Sequence, residues 1–142
     1  SVTAAESWSA IAAVGGDAGW PAYDWLWRLR AIIDRAFGGP GMRRGRRHPT
    51  EVRPGDTIDW WRVVAVEPGR RLTLMAEMRV PGSAVLELEA APTPEGSTIT
   101  ATAYFHPAGI WGLLYWFALL PVHRRIFESL AGGLAAEADR HR

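Results

Sequence analysis

The sequence contains no cysteine, lysine, asparagine or glutamine. Without cysteine, the chain has no disulfide, no thiolate nucleophile and no sulfur ligand for a metal ion. Without lysine, it has no Schiff-base chemistry and lacks the phosphate-binding lysine of nucleotide-binding loops. Every basic side chain other than histidine is an arginine. Because alanine, glycine, proline and arginine codons are favoured in GC-rich genomes, this composition indicates a GC-rich bacterial source.

The charge balance argues against a nucleic-acid partner. The net charge is only +1, whereas general nucleic-acid binders carry a strong basic excess. One basic cluster stands out, at Arg43, Arg44, Arg46 and Arg47. Charge runs of this kind are more often solvated faces than phosphate sites. The amino end does not resemble a signal peptide, and the length suits one domain, so we expect a single cytoplasmic domain over residues 1–142.

Two helices are predicted in the first part of the chain. Thr3 and Glu6 have the spacing of a capping box, in which each residue hydrogen-bonds the backbone of the other. Apolar residues then recur at helical spacing, which predicts a helix over residues 4–14. After a break at Gly19-Trp20-Pro21, a second helix is predicted over residues 23–37. Its apolar stripe contains Trp25, Leu29, Ile32 and Ala36.

From Asp56 onward the apolar period changes from 3.6 to 2, which is typical of β-strands. The predicted strands occupy residues 56–67, 70–80, 83–90 and 97–105. Turns rich in proline and glycine separate them. Four strands joined by short turns predict an antiparallel meander with one buried face. We expect residues 43–48 to add a short fifth strand at the near edge.

The segment between His106 and His123 carries no charge. Four aromatic residues crowd into it: Trp111, Tyr115, Trp116 and Phe117. A helix that spans a bilayer needs about 20 apolar residues, and this run is shorter and includes Pro121. We therefore expect a buried helix that covers the apolar face of the sheet. At Pro121 we expect either a kink or the start of a second helix.

Several short motifs carry a resemblance to a known superfamily. They are YDWLWRLR at residues 23–30, RGRR at 44–47, GD and DWWRV within 55–63, and LLYW and PVH within 113–123. By these motifs and by its element order, the chain resembles the START-like helix-grip superfamily, which also holds the birch-pollen allergen and the polyketide cyclase/dehydratase proteins. Within it, the chain is similar to an uncharacterised bacterial family that is often fused behind an NAD(P)-binding, short-chain-dehydrogenase-like domain.

The resemblance implies an α+β fold and a binding function. A curved antiparallel sheet would wrap around a long carboxyl-terminal helix, with two short helices near the amino terminus. The cavity between sheet and helix would bind a small hydrophobic molecule of lipid, polyketide or aromatic type. The fold normally begins with a strand, and only Ser1 and Val2 precede the first predicted helix. We therefore expect that strand to be missing and one sheet edge to be unpaired.

Three other functions stay open at this point. The chain would be a cyclase, dehydratase or isomerase if acid-base residues such as Asp59, Glu77, His106 or Tyr115 met in the cavity. It would be an accessory domain if it served an NAD(P)-dependent reductase. It would touch a membrane surface if residues 109–120 entered the lipid interface beside the arginines that follow.

The candidate ligand-binding residues are polar or aromatic side chains on the strands and along the terminal helix. They are Asp59, Trp61, Arg62, Glu77, His106, Trp111, Tyr115, Trp116 and His123. Strand alternation predicts Asp59 and Trp61 on one face and Trp60 and Arg62 on the other. No metal motif, no G-x-S-x-G and no G-x-G-x-x-G occurs in the sequence, so we expect neither a metal site nor a cofactor.

Overall fold

The computed structural model describes residues 2–20, 24–39, 46–77 and 82–140. They form α1 (Ala4–Ala12), α2 (Asp24–Ala36), β1 (Thr57–Ile58), β2 (Trp61–Glu67), β3 (Arg71–Ala76), β4 (Gly82–Thr93), β5 (Gly96–Pro107) and α3 (Gly109–Arg140), with a 3₁₀ turn at Gly16–Ala18. The strands make one antiparallel sheet in the order β1-β2-β3-β4-β5. The predicted α+β class is confirmed, with two short amino-terminal helices and a long carboxyl-terminal helix.

Both ends of α1 have hydrogen-bonded caps. The predicted capping box is confirmed, since the Thr3 amide donates to Glu6 Oε2 at 2.7 Å and the Glu6 amide donates to Thr3 Oγ1 at 3.3 Å. At the other end, the Arg46 guanidinium donates to the carbonyls of Ala12 and Val14 at 2.6 and 2.5 Å. These carbonyls would otherwise lack a partner at the helix terminus. Arg46 of the basic cluster is therefore a half-buried helix cap, whereas Arg43 and Arg44 lie outside the described residues.

The predicted first strand is two strands joined by a tight turn. Ile58 of β1 pairs with Trp61 of β2, so Asp59 and Trp60 form the turn between them. Asp59 has a φ of +54°, a left-handed conformation that aspartate adopts more readily than most residues. The prediction that Trp60 and Arg62 share one face is wrong, because Trp60 is fully buried and Arg62 is exposed. The extra strand is β1, while residues 46–48 are not in a strand.

The alternation predicted for the central strands is confirmed. On one face, the fully buried residues are Leu72, Leu74, Leu86, Leu88 and Ala90. The opposite face carries charges, such as Arg71, which lies 3.9 Å from Glu87 and 3.8 Å from Glu89. The strand order places β5 at one edge of the sheet, and within the described ranges no strand pairs with its outer side.

The second half of α3 covers the buried face of the sheet. Its buried apolar residues follow at intervals of four: Ile126, Leu130, Leu134 and Ala138. The helix continues through Pro121, so the alternative of a second helix starting there is wrong. Proline removes one helical hydrogen bond, and the apolar seam after it holds the helix on the sheet. In the first half, Trp111 and Phe117 are exposed. Among the described residues, no helix is long and apolar enough to cross a bilayer.

Gly15 allows the loop after α1 to pass close to the β1–β2 turn. Its φ is +80°, and an added Cβ would lie 2.5 Å from Ile58 Cγ2 and 3.0 Å from Asp59 Oδ2. We expect Gly15→Ala to lower the free energy of unfolding by roughly 3 to 5 kcal/mol, because backbone strain and overpacking add. Urea denaturation measures this loss.

A matched control is Gly69→Ala. Gly69 has a φ of +79°, but its added Cβ would meet nothing within 4 Å. Only the backbone strain remains in this variant, so we expect the free energy of unfolding to fall by about 1 to 2 kcal/mol. If the free energy of unfolding fell equally in the two variants, the close approach of Gly15 to the β1–β2 turn would be contradicted.

Candidate functional site

A cavity of about 220 Å³ lies between the sheet, α2 and the middle of α3. Its walls are mostly apolar, and six of the lining side chains carry a polar or charged group: Arg30, Trp61, Tyr104, Tyr115, Trp116 and His123. Small side chains on the strands leave the space open. These are Ala76 on β3, Ala84 on β4 and Ala103 on β5. The cavity is therefore the region where short strand side chains face large aromatic side chains of α3.

The aromatic wall is a connected stack. The rings of Phe105 and Trp116 are 5.1 Å apart and nearly parallel, at 11°. The Tyr115 ring also lies near the Phe105 ring, at 5.9 Å and tilted by 41°. The ring of His123 lies between Trp116 and Phe127, 5.9 Å from each. Each of these partly buried rings contacts at least one other ring, and such contacts favour a defined arrangement of the side chains, so this wall of the cavity is preformed.

Two polar atoms of cavity-lining residues are buried without a hydrogen-bond partner among the described residues: Trp61 Nε1 and His123 Nδ1. The indole N–H is only a donor, while the neutral imidazole nitrogen donates or accepts according to its tautomer. Buried polar atoms normally have partners, so each is a candidate contact for a polar group of a ligand.

Burial lowers the pKa of His123 below its ordinary value of 6.5, and the nearby Arg30 cation lowers it further. The imidazole is therefore neutral at neutral pH. The Arg30 guanidinium lies 3.9 Å from Asp34 Oδ1, whose side chain is fully buried. A lining that is mainly apolar, with a neutral imidazole, favours an uncharged or weakly polar ligand.

Four of the nine predicted site residues line this cavity: Trp61, Tyr115, Trp116 and His123. Two others, Arg62 and Glu77, form an ion pair at 2.6 Å on the exposed side of the sheet. His106 is exposed on β5, and Trp111 is 76% exposed on α3. The structure thus brings together the aromatic helix residues and Trp61, and it separates the charged strand residues from them.

Asp59 belongs to a separate buried polar centre. Its Oδ2 accepts hydrogen bonds from the Gly16 amide at 3.0 Å and from Trp20 Nε1 at 2.9 Å. The Trp20 ring lies 5.5 Å from the Trp60 ring and 6.2 Å from the Trp61 ring. The carboxylate therefore ties the 3₁₀ turn to the β1–β2 turn and backs the indole that lines the cavity.

Sequence reasoning missed the contribution of α2. Leu29, Arg30 and Ile33 line the cavity, although none was a candidate. Helical spacing identified an apolar stripe on α2 but not the element it would face. A usable signal lay in the strands, because the alanines on their apolar faces predict a hollow opposite the aromatic helix.

Comparison with known families places the chain. Residues 1–130 match the family described as "Protein of unknown function (DUF2867)". The chain belongs to this family. The match reaches from the amino-terminal cap through Leu130 of α3, and so includes every lining residue of the cavity. No curated protein matches this DUF2867 chain. In the described part of the chain, no cluster of histidine and carboxylate side chains is suited to hold a metal ion.

The role of Asp59 in this DUF2867 chain is testable by removing its acceptor. Asp59→Ala would leave the buried Gly16 amide and Trp20 Nε1 without the carboxylate oxygen they share. Each stranded donor costs about 1 to 3 kcal/mol, so we expect the free energy of unfolding to fall by roughly 2 to 5 kcal/mol. Asp59→Asn keeps one acceptor oxygen, so its free energy of unfolding should fall less. A denaturation curve that is unchanged in Asp59→Ala would show that the carboxylate does not stabilise the contact between the 3₁₀ turn and the β1–β2 turn.

The pKa of His123 predicts a pH-dependent stability. Because the folded chain holds this pKa below 6.5, the unfolded chain binds the proton more readily as the pH falls through that value. The free energy of unfolding should therefore decrease from pH 7.5 downward and level off below the folded pKa. Urea denaturation between pH 7.5 and 5 measures the slope.

Two variants assign this slope to the cavity histidine. His123→Phe removes the titrating group and should flatten the profile, whereas His106→Gln, at an exposed position, should leave it unchanged. Asp56, whose pKa is lowered chiefly by its hydrogen bond with Arg47, titrates below this window. A slope that persists in His123→Phe would show that another group causes it.

Proposed function

We propose that this DUF2867 chain binds a small, mainly apolar molecule in the cavity between the sheet, α2 and α3. The observation that carries the proposal is the hollow itself, which lies between the sheet and the terminal helix, where the resemblance leads us to expect a ligand. Its aromatic wall is preformed, and preformed apolar pockets with a few polar groups are the usual form of small-molecule sites.

The size and polarity of the cavity narrow the ligand class. At about 220 Å³, it is larger than the dry cavities of about 150 Å³ that accept benzene and smaller than typical sites for drug-sized molecules. An aromatic compound of one or two rings, or a short acyl chain, suits this volume. Trp61 Nε1 and His123 Nδ1 would bind one or two oxygen atoms of the ligand.

The same arrangement supports a place for the family in the START-like superfamily. An antiparallel sheet packs its apolar face on a long carboxyl-terminal helix, and the hollow lies between them. Two short helices precede the sheet. This is the helix-grip order that the resemblance implies, and on this basis we infer superfamily membership.

Acid-base catalysis has less support from the positions of its candidates. Of Asp59, Glu77, His106 and Tyr115, only Tyr115 lines the cavity. The described lining contains no carboxylate, so His123 would have no acid partner there. Ligand binding therefore fits the geometry better than a cyclase or dehydratase reaction. The association with an NAD(P)-binding reductase domain stays a prediction.

Filling the cavity tests the proposal. We expect Ala103→Leu to occupy the space opposite the aromatic wall and to raise stability by about 0.5 to 2 kcal/mol. In thermal-shift measurements, indole, naphthalene and 1-decanol are used as uncharged probes. At about 100 times its dissociation constant, a bound probe should raise the Tm of the wild type by roughly 5 to 10 °C. The Ala103→Leu variant should not respond.

Thr98→Leu is the control, because it adds similar bulk at an exposed position of the same strand. It should respond to the probes like the wild type. If no probe stabilises the wild type, or if a probe stabilises Ala103→Leu equally, the chain does not use this cavity for ligands of this class.

A further inference from the structure

The two buried polar atoms without a hydrogen-bond partner belong to different walls of the cavity. Trp61 Nε1 is on the sheet and His123 Nδ1 is on α3. Trp61 is only 3% exposed, so its indole N–H has little access to bulk water. Because a buried polar group without a hydrogen bond is unfavourable, these are the two lining atoms that a bound molecule would satisfy.

The other polar side chains of the lining are in different situations. The Arg30 guanidinium lies 3.9 Å from a carboxylate, and Tyr104 is 55% exposed. In the described part of the chain, no polar atom of Tyr115 or Trp116 is buried without a hydrogen bond. The unmet hydrogen-bonding capacity of the described lining therefore belongs to the indole of β2 and the imidazole of α3.

The chemistry of these two atoms selects one kind of ligand group. An indole N–H only donates, whereas Nδ1 of a neutral imidazole donates or accepts according to the tautomer. A hydroxyl group has one donor and two acceptor lone pairs, so it satisfies both atoms in either tautomer. An ether or ketone oxygen satisfies both in one tautomer only, and a hydrocarbon satisfies neither.

Water alone fits this arrangement less well. A buried water molecule makes about three hydrogen bonds, whereas the described lining offers two unpartnered polar atoms and is otherwise mainly apolar. The cavity of about 220 Å³ also has room for a molecule much larger than water. A ligand with an apolar body and one hydroxyl group matches both the space and the two atoms.

We propose that the ligand is a hydroxylated apolar molecule, of the phenol or fatty-alcohol class, and that Trp61 Nε1 and His123 Nδ1 bind its hydroxyl group. The apolar body lies against the aromatic wall, and the hydroxyl group sets the orientation of the molecule. This inference rests on the proposed function, because it names the chemical class of the molecule that the cavity binds.

Three probes of the same ring size test the hydroxyl group. Naphthalene has no polar atom, quinoline has one acceptor nitrogen, and 2-naphthol carries a hydroxyl group. Isothermal titration calorimetry with the purified chain at neutral pH gives a dissociation constant for each probe. We expect 2-naphthol to bind on the order of 10- to 100-fold more tightly than naphthalene, with quinoline between them, because each added hydrogen bond strengthens binding.

Two variants that keep an aromatic ring assign the hydrogen bonds. His123→Phe and Trp61→Phe each remove one of the two polar atoms. Each should lower the affinity ratio of 2-naphthol to naphthalene by roughly tenfold. A change in packing alone would alter the binding of both probes and leave their ratio the same. Tyr115→Phe is the control, because it removes the hydroxyl group of another lining residue, and it should not change the ratio.

The outcomes separate this inference from the proposed function. If naphthalene and 2-naphthol bind the wild type equally, the inference is overturned, while the cavity still binds apolar molecules. A ratio that persists in His123→Phe, or that is lost in Tyr115→Phe, would also overturn the inference. If none of the three probes binds, both the inference and the proposed function fail.

Discussion

The packing of α3 on the sheet covers only part of the sheet's apolar face, and the other features of the molecule depend on this. The seam from Ile126 to Ala138 seals the leucine-rich centre of β3 and β4. Toward the first half of the helix, the facing strand residues shrink to alanine, and the helix presents Tyr115 and Trp116 instead. The rings do not fill the space that the short strand side chains leave, so a hollow remains where protein interiors are normally close-packed.

The position of Trp61, which lines this hollow, is fixed by side chains that do not line it themselves. Trp61 is buried against Trp60 and Trp20, and the Trp20 indole donates a hydrogen bond to the Asp59 carboxylate. Asp59 in turn requires the left-handed turn at its own position and the close passage of Gly15. A buried carboxylate that looks catalytic by residue type therefore serves to orient an aromatic side chain at the cavity.

The features that sequence predicted well are those set by local rules. The capping box needs only Thr3 and Glu6, and the alternation of β3 and β4 follows from the pleat. The tight turn at Asp59 was hidden, because the apolar run continues through it with no glycine or proline. The lining of the cavity was predicted only in part, since four of its 17 residues were candidates and three of these are on the aromatic helix. The approach of Leu29 and Ile33 depends on long-range packing that spacing does not encode.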